Sequence, residues 1–250
     1  MSEFFRLKSL FLRGRAAAEG RSQTRLGYQA GLFEVISSSD LNDLLDGLMS
    51  AVKASNTCVQ RADACKRFSD GIFERAAGQH DKQHWCEKTP RNLLYADKIQ
   101  RLYPRAKFIN VVRDGREVVS SILERKFWPI AKSARFAETK HFGGDINLQK
   151  AVNYWCSLMS ITAKMRDRVG ADNWLDVRLE DLGGNFSKVE ASIEDFLEID
   201  HDERFASAAS QLIRGGKADQ RRWREGRSDR EVEYMVSRMQ GYLEQYGYIG

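Results

Sequence analysis

The residue with the clearest chemical potential is Arg113, which ends the apolar run of "FINVVRDGREVVSSIL" at 108–123, just ahead of a segment with helical spacing. An arginine so placed presents a planar fork of donors that suits a phosphate, and the amino end of the next helix adds partial positive charge behind it. In open parallel sheets ligands gather at the carboxyl edge of the strands, where this arginine is expected. An alternative stands beside that reading: Arg113 pairs with Asp114 or a neighbouring carboxylate, and the serines are ordinary helix-border residues. The apolar helix face is Val118, Val119, Ile122 and Leu123, with Ser120 and Ser121 on its two borders. Periodicity does not choose between the two serines.

Other reactive side chains form weaker patterns. Cys58, Cys65, Cys86 and Cys156 include no CxxC pair; Cys58 and Cys65 on one helix would lie ~10 Å apart along its axis, too far for a disulfide. Reduced thiols and a cytoplasmic setting are expected. His80 and His84 have i, i+4 spacing but no evident third ligand, so no metal is expected. His141 and His201 have no recognisable catalytic partner, and Trp155 with Met159 is read as core. The net charge of +5 comes from 40 basic and 35 acidic residues spread along the chain. Without aromatic interleaving or a recognisable module, that excess does not indicate nucleic-acid binding. With 42% apolar and 30% charged residues the chain reads as globular, and no run of about 18 apolar residues supports a membrane span.

The elements that would position Arg113 follow from pattern. Leu41, Leu44, Leu45 and Leu48 recur at helical spacing, with Ser39 or Asp40 as the N-cap. A second helix is expected over about 61–77, and residues 14–31 read as a loop or weak helix. "HWCEKTPRN" reads as a short strand leading into a turn, because Pro90 disfavours helix at Thr89. A helix over 92–103 is stopped by Pro104, "KFINVV" is a buried strand, and "REVVSSILE" is the next helix. A long helix over 148–169, a strand in "NWLDVRLEDL" and a final helix over 228–246 opened by the capping box "SDRE" complete the chain. Such alternation marks a parallel α/β sheet flanked by helices.

An apolar strand ending in Val-Arg-Asp, then Gly, Arg-Glu-Val and a serine eight residues after the arginine resembles the 3′-phosphate site of sulfotransferases that use 3′-phosphoadenosine 5′-phosphosulfate (PAPS). "WCEKTPRN" and "WLDVRLEDLGGN" resemble two further segments of bacterial-type members, in the same order. The resemblance covers roughly residues 85–245 and implies a P-loop-NTPase-like parallel sheet. It implies one sulfotransferase-like domain over 1–250, with 1–84 mostly helical and 85–250 the α/β part. It assigns Arg113 and Ser121 to the 3′-phosphate, Lys88 to charge stabilisation at the sulfuryl group, and Lys217, six residues before Trp223, to the loop that closes over the 3′-phosphate. Arg214, Arg221 and Arg222 compete with Lys217 for that role. The opening "MSEFFRLK" resembles the segment that carries the general base, which places that role on Glu3.

Two departures accompany the resemblance. No loop like Pro-Arg-Ser-Gly-Thr-Thr for the 5′-phosphosulfate is found, so the chain is expected to begin one strand, one loop and one helix late. Leu179 also stands where the family often has a tyrosine near the adenine. The implied activity is sulfuryl transfer from PAPS to a hydroxyl or amine of a small-molecule or carbohydrate acceptor, without metal. The rivals are a truncated or degenerate homologue that only binds nucleotide or acts as an interaction module, and a P-loop kinase, which lacks its Gly-Lys-Ser/Thr loop here.

Overall fold

The β-branched and aromatic run Phe108–Val112 forms β1, and Trp174–Arg178 forms β2. In a computed structural model, which describes residues 36–79, 82, 84–125, 146–204, 206–207, 209 and 222–249, these strands pair in parallel, from Phe108 opposite Trp174 to Val112 opposite Arg178. Parallel neighbours need a long crossover. Among the described residues it contains the α-helices α4 (Gly115–Arg125) and α5 (Leu148–Val169). The carboxylate of Asp176 fixes the register from the side chains, accepting from Asn110 Nδ2 at 2.7 Å and from Trp174 Nε1 at 2.9 Å.

Cα packing divides the chain into Met1–Lys88 and Thr89–Gly250. The described part of the first unit is a helix pair, α1 (Ser38–Ala54) and α2 (Cys58–Gln79), closed over Ile36, Leu41 and Ile72. The N-cap of α1 is Ser37 rather than Ser39 or Asp40. Its Oγ accepts from Asp40 N at 3.1 Å, which leaves Asp40 in the first turn, where its charge suits the helix dipole.

In the second unit α3 (Ala96–Leu102) precedes β1. After β2 come α6 (Leu179–Gly184), α7 (Phe186–Leu197) and α8 (Asp229–Gln245). The core joins α4, α5 and α8 through Val119, Ile122, Val152, Trp155, Met235 and Leu243, all buried. Trp155 and Met159 both belong to this core, as their spacing indicated. Gly170 ends α5 at φ 92°, a left-handed conformation that turns the chain into β2 at little steric cost to glycine.

Two expectations fail locally. "HWCEKTPRN" is not a strand: residues 84–89 are irregular, and Pro90–Tyr95 forms a 3₁₀ helix with Thr89 extended before it at φ −121° and ψ 122°. Pro90 opens this helix because proline lacks the N–H that a first turn leaves unpaired. The expected helix over 92–103 is consequently split into that 3₁₀ turn and α3.

The capping box at α8 is present, with Ser228 N donating to Glu231 Oε2 at 2.9 Å and Ser228 Oγ accepting from Glu231 N. Ser228→Ala is expected to cost about 1 kcal/mol, which a thermal melt would register as a fall of about 2–4 °C. The hydrogen bonds from Ser228 hold the Glu231 carboxyl below its ordinary titration. Its support for the cap is therefore present at neutral pH and lost as the pH falls through that lowered value.

Candidate functional site

β1 ends at Val112 and α4 begins at Gly115, so Arg113 and Asp114 form the whole turn between them. Asp114 is buried and accepts a bidentate pair from Arg116, Nε to Oδ1 at 2.9 Å and Nη2 to Oδ2 at 2.6 Å. Such a fork is geometrically specific and consumes both charges. Arg113 is therefore not paired with Asp114. Its partner is Glu117, with Nη2 3.7 Å from Oε2, and the arginine side chain keeps 38% of its exposure. Pairing with a neighbouring carboxylate is thus present, but at a distance longer than a hydrogen bond.

The two serines, equivalent by periodicity, are distinguished by packing. Ser120 is buried and its Oγ accepts from Arg227 Nη2 at 3.0 Å. Ser121 is half-buried, ~9 Å along the α4 axis from Gly115, and a helical side chain there leans toward the helix start.

A segment from the far end of the chain closes on this helix. Trp223, in a 3₁₀ turn over Arg222–Arg224, is buried, and its backbone N–H donates to Glu117 Oε1 at 3.3 Å. The guanidinium groups of Arg116 and Arg224 lie over its ring, 4.5 and 4.9 Å from the centroid. Stacking of this kind suits arginine's flat, weakly hydrated head. Glu117 therefore joins Arg113 to the Trp223 anchor. In the sequence Trp223 serves only to place Lys217, and nothing in its neighbourhood indicates that it docks on α4.

The sheet edge is braced from the other side. Glu180 accepts from Asp114 N at 3.0 Å and from the Tyr248 hydroxyl at 2.8 Å. Arg178 stacks on the Tyr248 ring at 4.5 Å and donates to Gly247 O at 3.3 Å. Burial, and then the Glu180 hydrogen bond, push the Tyr248 hydroxyl well above the usual tyrosine range, so it remains a donor. Tyr248→Phe leaves a Glu180 oxygen short of a partner and is expected to cost about 1–2 kcal/mol, measurable as a lower urea midpoint with an unchanged slope.

Of the remaining candidates, Lys88 is exposed at the end of the irregular segment 84–89. Glu3 and Lys217 lie outside the described residues, as do residues 14–31, His80 and His141, and with them the His80/His84 metal reading. All four cysteines are free. Leu179 is 38% exposed at the start of α6. Among the described residues, no helix is long and apolar enough to cross a membrane.

The family model described as "Sulfotransferase family" matches residues 7–203, most of the chain and all of the β1–α4 turn. The chain belongs to the sulfotransferase family. Among curated sulfotransferases, it is 28% identical over 139 residues to protein-tyrosine sulfotransferase A of Caenorhabditis elegans, a match covering 55% of this chain and 33% of that protein. A second C. elegans protein, provisionally named a protein-tyrosine sulfotransferase, is 52% identical over 46 residues, 18% of this chain and 17% of its own length. A similarly named protein of Caenorhabditis briggsae is 50% identical over 46 residues, 18% of this chain and 16% of its own length. The matches thus span a third or less of these sulfotransferase relatives. The α/β architecture and its parallel β1–β2 pair are consistent with a sulfotransferase fold.

Proposed function

We propose that this chain binds PAPS through its 3′-phosphate and transfers the sulfuryl group to an acceptor hydroxyl. The observation that carries the reading is the partly exposed Arg113 side chain at the carboxyl end of β1, with its only ion pair among the described residues a loose one to Glu117. The residues fit a phosphate. Asp114 is neutralised by Arg116, Ser120 is committed to Arg227, and Ser121 remains on the helix whose amino end carries partial positive charge. Trp223 supports the same reading, because it anchors on α4 the end of the stretch that contains Lys217.

In the proposed reaction the acceptor oxygen forms a bond to sulfur as the bond from sulfur to the 5′-phosphate oxygen breaks. The acceptor proton passes to a general base, a role that family resemblance gives to Glu3, and adenosine 3′,5′-bisphosphate departs. Lys88 would stabilise the charge that grows on the departing phosphate, a task that needs position and charge rather than covalent chemistry. The P-loop-like topology and the cytoplasmic setting belong to this same reading.

The names of the curated relatives favour a tyrosine hydroxyl of a protein as the acceptor over a carbohydrate or a small molecule. The test is incubation of the chain with PAPS and a tyrosine-containing peptide, beside the same peptide with phenylalanine in its place, followed by mass spectrometry. Sulfation of the tyrosine peptide alone is expected. Nucleotide binding without transfer to the peptide or to a panel of phenols and sugars would instead favour a binding-only homologue.

A further inference from the structure

A second cluster of ionisable groups lies on α7, apart from the β1–α4 turn. Glu190 and Glu194 are four residues apart and therefore share one helix face. The helix ends at Glu198 in the left-handed conformation, φ 57° and ψ 42°, with Ile199 N donating to Glu194 O at 3.1 Å. This cap reverses the chain and brings His201 back onto the helix. His201 Nδ1 lies 2.9 Å from Glu194 Oε1 and 3.1 Å from Oε2, while its Nε2 is 3.6 Å from the exposed Glu203.

Glu190 makes the cluster unusual. It is only 7% exposed, and its Oε1 is buried without a hydrogen-bond partner. A buried carboxylate left without a partner is costly, and a neighbouring cation is one of the few arrangements that offsets the cost. One donor atom from each of Glu190, Glu194 and His201 lies within 4.8 Å of the others.

We propose that Glu190, Glu194 and His201 bind a divalent transition-metal ion of the zinc class. Two carboxylates and an imidazole form a borderline donor set, and three protein ligands plus water complete a four-coordinate zinc ion. Ligands at about 2.0–2.1 Å hold their donors about 3.3 Å apart. The partly exposed Glu194 and His201 side chains need to close by roughly 1.5 Å or less toward the buried Glu190 to reach that spacing. Bound metal would tie the end of α7 to the returning chain.

The test is calorimetric titration of the chelator-treated full chain with zinc chloride, repeated on Glu190→Gln and His201→Ala. Circular dichroism checks that both variants fold; the first substitution is isosteric and the second replaces an exposed side chain. One saturable equivalent is expected in the parent, weakened by about tenfold or more in each variant. Cobalt(II) bound at the same site should show no thiolate charge-transfer band, which separates it from binding at the exposed cysteines. No zinc binding by the parent, equal binding by both folded variants, or a thiolate band would overturn the assignment. None of these readouts depends on sulfuryl transfer.

Discussion

Arg113→Ala is expected to weaken binding of adenosine 3′,5′-bisphosphate by about 100-fold or more, with almost no change in stability. Two charge-assisted hydrogen bonds from one guanidinium to a phosphate contribute about 1.5–3 kcal/mol each, which sets the scale of the loss. The stability side rests on geometry. The arginine side chain is 38% exposed and its contact with Glu117 is 3.7 Å, so its deletion should cost within about 0.5 kcal/mol. Glu117 keeps its bond from Trp223 N in the variant. Arg113→Lys retains the charge and loses the fork, so an intermediate loss is expected. Calorimetry on the three proteins checks the order. An Arg113→Ala protein that binds as well as the parent would show that the guanidinium does not hold the phosphate.

Gly115→Ala is expected to act in the opposite way, through stability. A Cβ at Gly115 would fall 2.5 Å from Trp155 Cε2 and 2.6 Å from Trp155 Cδ2, and against Met239 Cε. Trp155 is 2% exposed and Met239 fully buried, so neither has room to withdraw. Overpacking of this kind costs about 1–3 kcal/mol, and a chain of this size should lose about 2–4 °C of melting temperature per kcal/mol. In this chain, Trp155 crossing behind the turn requires glycine. A melting temperature within error of the parent would mean that α4 and α5 are looser than their packing indicates.

Much of this organisation is legible in the sequence because its signals are local. The β-branched run of β1, the apolar spacing of Leu148–Val169 and the reciprocal Ser228–Glu231 cap each depend on neighbours within a turn or two, and each appears where its pattern places it. The failed expectation at "HWCEKTPRN" has a physical cause. Strand formation requires a ladder partner, whereas Pro90 needs only its own ring to start a 3₁₀ turn. The choice of Ser37 over Ser39 as the N-cap was equally hidden, since both lie among serines that could accept the same N–H.

The site was only half legible. Arg113 could be placed at a strand end from pattern alone, but its ion-pair partner could not. Asp114 is adjacent in sequence, yet Arg116 captures it because two residues along the starting helix gives the better fork. The division of labour between Ser120 and Ser121 depends on Arg227, more than a hundred residues away. The approach of His201 to Glu194 depends on one left-handed residue, Glu198, a conformation that sequence pattern assigns to glycine or asparagine first.

Under the proposed function the β1–α4 turn recognises a 3′-phosphate. The most direct measurement is calorimetric titration of the full chain with adenosine 3′,5′-bisphosphate and, separately, with adenosine 5′-monophosphate. Micromolar binding of the bisphosphate, with the monophosphate weaker by about 100-fold, is the predicted result. Equal affinity for the two nucleotides, or no binding of either, would contradict it.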